Sequence, residues 1–236
     1  MSYTTKVFVL HKQNWKESSY IVHLLGENIG LFKGIVQGAR KEKSPFFSHL
    51  ELGNFLEVVI LKKHTGDLFL VVSSTILNIL DIMPRSYPHL IASHVALEIY
   101  HQLTIAEPEA PEYFVLLQRY LEYLPSVTNN HLLIIWRFIF KLFTLLGFPL
   151  VQIKNNRYEF LDKPEIVKIF SSKELTIIEE WLKKTQMAGN YITFANILTD
   201  TCFLVNKLIQ VWFSLNLHQT IHCKSLSLYE ELLMKS

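Results

Sequence analysis

Apolar and polar positions follow a strand-like pattern through the first third of the chain and recur at helical spacing through the rest. Lys6–His11 and Ser19–Leu25 are short, β-rich apolar runs, and a third, Ile29–Gln37, carries Gly30 and Gly34 with Gly38 just beyond. Glycines within strands mark bends, bulges or close backbone approach. Phe55–Lys63 and Leu68–Ser73 flank His64-Thr65-Gly66-Asp67, a polar, glycine-containing connection suited to a hairpin. Five short strands with glycine kinks predict a small curled barrel, of which the OB-fold is one form. The pattern alone fits an SH3-like barrel equally.

Met83-Pro84 and Tyr87-Pro88 punctuate the chain, and the period then changes. Ile91, Val95, Ile99 and Leu103 recur every four residues and predict a helix soon after Pro88. A second helix runs from Pro111 to about Tyr123, and a third from His131 to Leu146, capped by Asn130 and ended by Gly147 and Pro149. Lys173–Lys184, about Ile192–Leu215 and Leu226–Leu233 complete the helical set. The expected fold is α+β: a five-stranded OB-fold barrel over residues 1–82, then an all-helical domain over 83–236 with a short irregular insertion around 148–164.

Composition adds that half of the 236 residues are apolar and 19% are charged, which argues against disorder. The net charge of +2 is unevenly placed, because residues 1–80 hold nine Lys/Arg against six acids while the remainder is nearly balanced. Affinity for polyanions therefore belongs to the first third. The N-terminus shows no apolar run with a cleavage site, and two cysteines, Cys202 and Cys223, allow at most one bridge. A reducing, cytoplasmic location is expected. Leu132–Leu150 is apolar enough to suggest a membrane span, but Arg137 and Lys141 lie within it. Each would cost about 2.5–3.5 kcal/mol at a bilayer centre. With Thr144 they form one polar stripe, so a core helix with a wet face is expected and no membrane association.

No Walker loop, dinucleotide-binding glycine signature, nucleophile elbow or H-E-x-x-H is present, so no catalytic residue and no cofactor are expected. His218, His222 and Cys223 are too few for a closed metal site, and no metal is expected there. The most specific local feature is Gly34–Phe46, a strand ending at Gly38 followed by Arg40, Lys41 and Lys43. Cations beside a strand end suit phosphate contacts, and nearby aromatics can stack unpaired bases. Arg40, Lys41 and Lys43 are the candidate nucleic-acid-binding cations, with Phe32, Phe46 and Phe47 as the available aromatics, although basic loops are commonly just solvated and aromatics in a small barrel are commonly core.

The run Ile29-Gly30-Leu31-Phe32-Lys33-Gly34-Ile35-Val36-Gln37-Gly38-Ala39-Arg40-Lys41 resembles the strand and basic turn near the start of RecO recombination mediators. Val9-Leu10, Ser18-Ser19-Tyr20 and Leu24-Leu25 fall where that family has two strands and a polar turn. Trp136-Arg137-Phe138 to Leu142, then Leu145-Leu146-Gly147-Phe148, is similar to its Arg-Phe helix and Leu-Gly-aromatic step. Leu217-His218, Lys224-Ser225 and Leu228 are similar to its Lys-Ser turn before the last helix.

The resemblance implies a DNA repair protein that binds single- and double-stranded DNA and anneals complementary strands, with Lys33, Arg40, Lys41, Lys43, Lys62 and Lys63, and Phe32 and Phe46, as its DNA-binding residues. It also implies help in loading recombinase onto strands coated by single-stranded DNA-binding protein, with RecR as partner and no nucleotide hydrolysis. It further implies that Arg137, with Lys141 one turn on, receives the acidic, Phe-ended C-terminal tail of single-stranded DNA-binding protein. Many members carry a four-cysteine zinc module after the Leu-Gly step, whereas Phe148–Pro164 holds no cysteine here. The alternative from another class is a helical protein–protein adaptor whose β-domain does not bind DNA.

Overall fold

The computed structural model describes residues 2–62, 68–78, 86–103, 111–150, 153–154, 157–187, 199–217 and 220–233. Five strands make a closed barrel: β1 (Ser2–Trp15), β2 (Ser19–Gly26), β3 (Gly30–Val36), β4 (Phe55–Lys62) and β5 (Leu68–Asn78). The order around it is β1-β2-β3-β5-β4, with β4 pairing back onto β1. Every pairing is antiparallel except β3 with β5. This is the OB-fold arrangement, which separates it from the SH3-like alternative.

Closure depends on β1, which is far longer than the apolar run at its centre. Its first half pairs with β4 from Ser2↔Leu61 to Phe8↔Phe55, and its second half pairs with β2 up to Trp15↔Ser19. A register shift between Val9 and His11 lets one strand serve both neighbours, because a bulge bends and twists the strand that carries it. Gly34 is where β3 meets β5, and a Cβ there would sit 2.8 Å from Val71 Cγ2. Only a residue without a side chain fits that approach.

The barrel interior is filled by Val7, Val9, Val22, Leu24, Phe32, Val36, Leu56, Val58, Ile60 and Val71. Between β3 and β4 the chain makes consecutive turns, Lys41 N–H donating to Gly38 O, Ser44 N–H to Lys41 O and Phe47 N–H to Ser44 O. These turns lay Ala39, Phe46 and Leu50 into the same core.

Seven helices follow among the described residues: α1 (Tyr87–Gln102), α2 (Pro111–Tyr123), α3 (His131–Leu145), α4 (Pro164–Ile169), α5 (Ser172–Met187), α6 (Thr199–Leu217) and α7 (Lys224–Leu233). The strand-to-helix change lies between Asn78 and Tyr87, while compactness divides the chain elsewhere. One unit is Met1–Phe138 with Cys223–Leu226, and the other is Ile139–His222 with Ser227–Ser236, so the division cuts α3.

Within the first unit Phe8 stacks on Phe55 at 4.9 Å and meets Phe114 of α2 at 5.1 Å. Tyr100 and Tyr120 bury their rings and donate their hydroxyls to Tyr113 O and Ala92 O. Within the second, Phe143 packs on Phe213 at 4.5 Å.

The end of α3 is a Schellman turn: Gly147 has φ +85° and Phe148 N–H reaches back to Phe143 O. Its start differs from expectation, since Asn130 has φ +60° and its backbone carbonyl, bonded to Leu133 N–H, is the contact observed. Asparagine tolerates that left-handed conformation better than most residues. The connection at 64–67 and the expected beginning of α6 at Ile192 lie outside the described residues.

Candidate nucleic-acid interface

Alternation along β3 turns Phe32, Gly34 and Val36 inward and leaves Lys33 exposed on the outer face. Beyond the strand Gly38 takes φ +67°, and the turn it starts is tied to the β1–β2 connection. Arg40 N–H donates to Ser18 O at 2.9 Å, and Arg40 Nη1 to Lys16 O at 3.4 Å. Lys16, itself at φ +51°, thus stands beside the basic turn. Arg40, Lys41 and Lys43 are exposed. Lys33, Arg40, Lys41 and Lys43 form no ion pair with a carboxylate among the described residues. Lys12 differs, because its Nζ lies 2.8 Å from Glu51 Oε1 and its charge is already answered.

The expected residues fall into groups. Arg40, Lys41 and Lys43 share one turn with Lys16 at hand. Lys33 pairs with Leu68 and Lys62 with Phe69, so these two exposed lysines flank the beginning of β5. Lys63 lies outside the described residues.

The aromatics need correction. Phe32 is 9% exposed and packs edge-on against Phe69 at 5.2 Å, and Phe46 is 8% exposed in the barrel core. Neither offers a ring face to a base. Phe47 is 70% exposed beside the basic turn, and Trp15, at the end of β1, is 42% exposed. Trp15 is followed immediately by Lys16 at the strand end.

On α3, Arg137, Lys141 and Thr144 are all exposed, whereas Trp136, Phe138 and Leu142 are buried. Spacing of four and three places the polar residues on one face of the helix. No helix among the described residues is long and apolar enough to cross a membrane.

The segment from Phe148 to Pro164 does not fit a zinc module. It contains neither cysteine nor histidine, and no group of three or more His, Cys, Asp or Glu among the described residues could hold a metal. Packing organises it instead. Ile153–Lys154 and Arg157–Tyr158 form a two-stranded pair, and Tyr158 and Phe160 are buried. Trp212 of α6 donates Nε1–H to Phe148 O at 2.9 Å and meets the Phe160 ring at 6.4 Å. Cys202 and Cys223 are both buried thiols, and His218 lies outside the described residues.

Comparison with known proteins agrees with this barrel. Residues 1–79 match the family model described as Recombination protein O N terminal. The chain is 31% identical over 146 residues to the DNA repair protein RecO of Chloroherpeton thalassium, covering 62% of this chain and 56% of that one. It is 26% identical over 144 residues to the DNA repair protein RecO of Prosthecochloris aestuarii, covering 61% and 54%. The chain thus spans little more than half the length of these curated relatives. Residues 1–79, which hold the barrel of OB topology, are thus similar to the N-terminal domain of RecO proteins.

Proposed function

We propose that this protein is a non-catalytic DNA repair and recombination mediator that binds single- and double-stranded DNA through its barrel. In this reading it anneals complementary strands and helps load recombinase onto strands coated by single-stranded DNA-binding protein. It works in the cytoplasm with RecR and needs no nucleotide hydrolysis. The observation that carries the reading is an OB-topology barrel whose basic turn holds Arg40, Lys41 and Lys43 exposed and unneutralised by carboxylates among the described residues. Annealing asks only that cations reduce the repulsion between two phosphate backbones while leaving base edges free to pair. Phe47 and Trp15 supply open rings for unpaired bases at the turn and at the end of β1, and stacking of this kind is worth about 1–3 kcal/mol per base.

Arg137 and Lys141 of α3 are the proposed receptor for the acidic tail of single-stranded DNA-binding protein, with a carboxylate held by the guanidinium. The test is to mix complementary oligonucleotides with the full chain and follow pairing by fluorescence. Faster pairing than in the protein-free control supports the proposal, and an unchanged rate contradicts it.

A further inference from the structure

Four basic groups meet on the outer face of the barrel, away from the turn at Arg40. Register sets His11 of β1 opposite His23 of β2, and His23 opposite Lys33 of β3. Directly opposed residues in antiparallel pairs point to the same face. His101, in the last turn of α1, completes the group. Its Nδ1 lies 3.0 Å from His23 Nδ1, and its ring stacks on His11 at 4.2 Å and meets His23 at 4.4 Å. His11 and His23 meet edge to face at 5.6 Å. The three imidazoles are half-buried and keep some surface open to solvent, and Lys33 is exposed.

The cluster is short of negative charge. Burial holds all three histidines below their ordinary range, with repulsion from His101, Lys33 and His11 taking His23 down to about 4. Glu98, one turn before His101 on α1, is the acid that acts on it. That carboxylate is already engaged, since its Oε2 accepts Ser225 N–H at 3.1 Å and lies 3.3 Å from Cys223 Sγ. At neutral pH the group is therefore one exposed ammonium beside three uncharged rings.

We propose that this cluster is a second phosphate-binding position on the barrel, where a nucleic-acid phosphodiester docks with uptake of a proton by the histidines. It rests on the reading of the barrel as a DNA-binding domain. Lys33 provides the standing attraction. A phosphate drawn to it supplies the counter-charge that the imidazoles lack and raises their proton affinity. By linkage, an anion that promotes protonation is bound more tightly as pH falls. This would place the DNA path along β1, β2 and β3 as well as at the basic turn.

The test titrates a fluorescent single-stranded oligonucleotide into the full chain at about pH 8 and about pH 6, at constant ionic strength. Affinity is expected to rise on acidification, by up to about tenfold per pH unit for each proton taken up. In His23→Gln/His101→Gln the ratio of the two affinities should fall toward one, and that ratio is insensitive to a general loss of affinity. Calorimetry of the unaltered protein in two buffers of different ionisation enthalpy should show proton uptake on binding, independently of how the variant folds. An undiminished ratio in the variant, or binding without proton uptake, overturns the inference while leaving the DNA reading intact. No oligonucleotide binding at either pH overturns both.

Discussion

Phe46 and Phe47 are adjacent and have opposite surroundings. Phe46 enters the core with Ala39 and Leu50, while Phe47 stands in solvent beside the basic turn. Phe46→Ala should therefore cost about 3–5 kcal/mol of stability, read by denaturant unfolding. Phe47→Ala should leave stability within about 0.5 kcal/mol and weaken binding of single-stranded DNA. Gly34→Ala is expected to destabilise by about 1–3 kcal/mol, because the added methyl would overlap Val71 of the parallel neighbour. The sequence showed that Gly34 mattered, since glycine within a β-rich run signals close backbone approach. It did not show which phenylalanine turned inward. Residues 38–50 form turns rather than a strand or helix, so no period assigns their faces.

At the scale of elements, α3 shows what periodicity can reveal. Its polar stripe at Arg137, Lys141 and Thr144 and its glycine stop were both readable from spacing, and the structure shows both. Arg137→Ala should leave the fold intact and weaken binding of an acidic, Phe-ended peptide by about 1.5–3 kcal/mol, measured by titration calorimetry. The extent of β1 was not readable, because the residues flanking its apolar centre are held by pairing with β4 and β2 rather than by their own burial. Nor was α4, only six residues long and opened by Pro164, distinct enough to stand out.

The Phe148–Pro164 segment depends on Trp212, so Trp212→Phe should destabilise the fold by about 1 kcal/mol by removing its N–H donor. A chelator should leave thermal stability unchanged. The His11–His23–His101 cluster gives a pH dependence of fixed sign. Folding favours the neutral rings, so the unfolded chain takes up protons first as pH falls below about 6.5. Stability should then decline from there toward pH 4, where His23 titrates in the folded protein. Thermal unfolding across that window checks this in the absence of DNA.

For the molecule as a whole, the uneven distribution of charge points to the barrel as the place for a polyanion. The basic excess falls in residues 1–80, which contain the barrel, and the remainder of the chain is nearly neutral. The barrel itself was legible because each strand carried its own β-rich run, whereas its OB connectivity came from register that no single segment encodes. What the sequence placed together as one DNA surface, the fold arranges as a basic turn at Arg40–Lys43 and a lysine pair at Lys33 and Lys62.

The central claim is that this surface binds DNA by neutralising phosphates. The most direct measurement is a salt-series titration of a fluorescent single-stranded oligonucleotide against the protein and against Arg40→Glu/Lys41→Glu. The account predicts binding that weakens steeply with salt, with the variant weaker and its log–log slope shallower by about 0.7 for each phosphate it no longer neutralises. Superimposable curves for the two proteins, or affinity indifferent to salt, would contradict it.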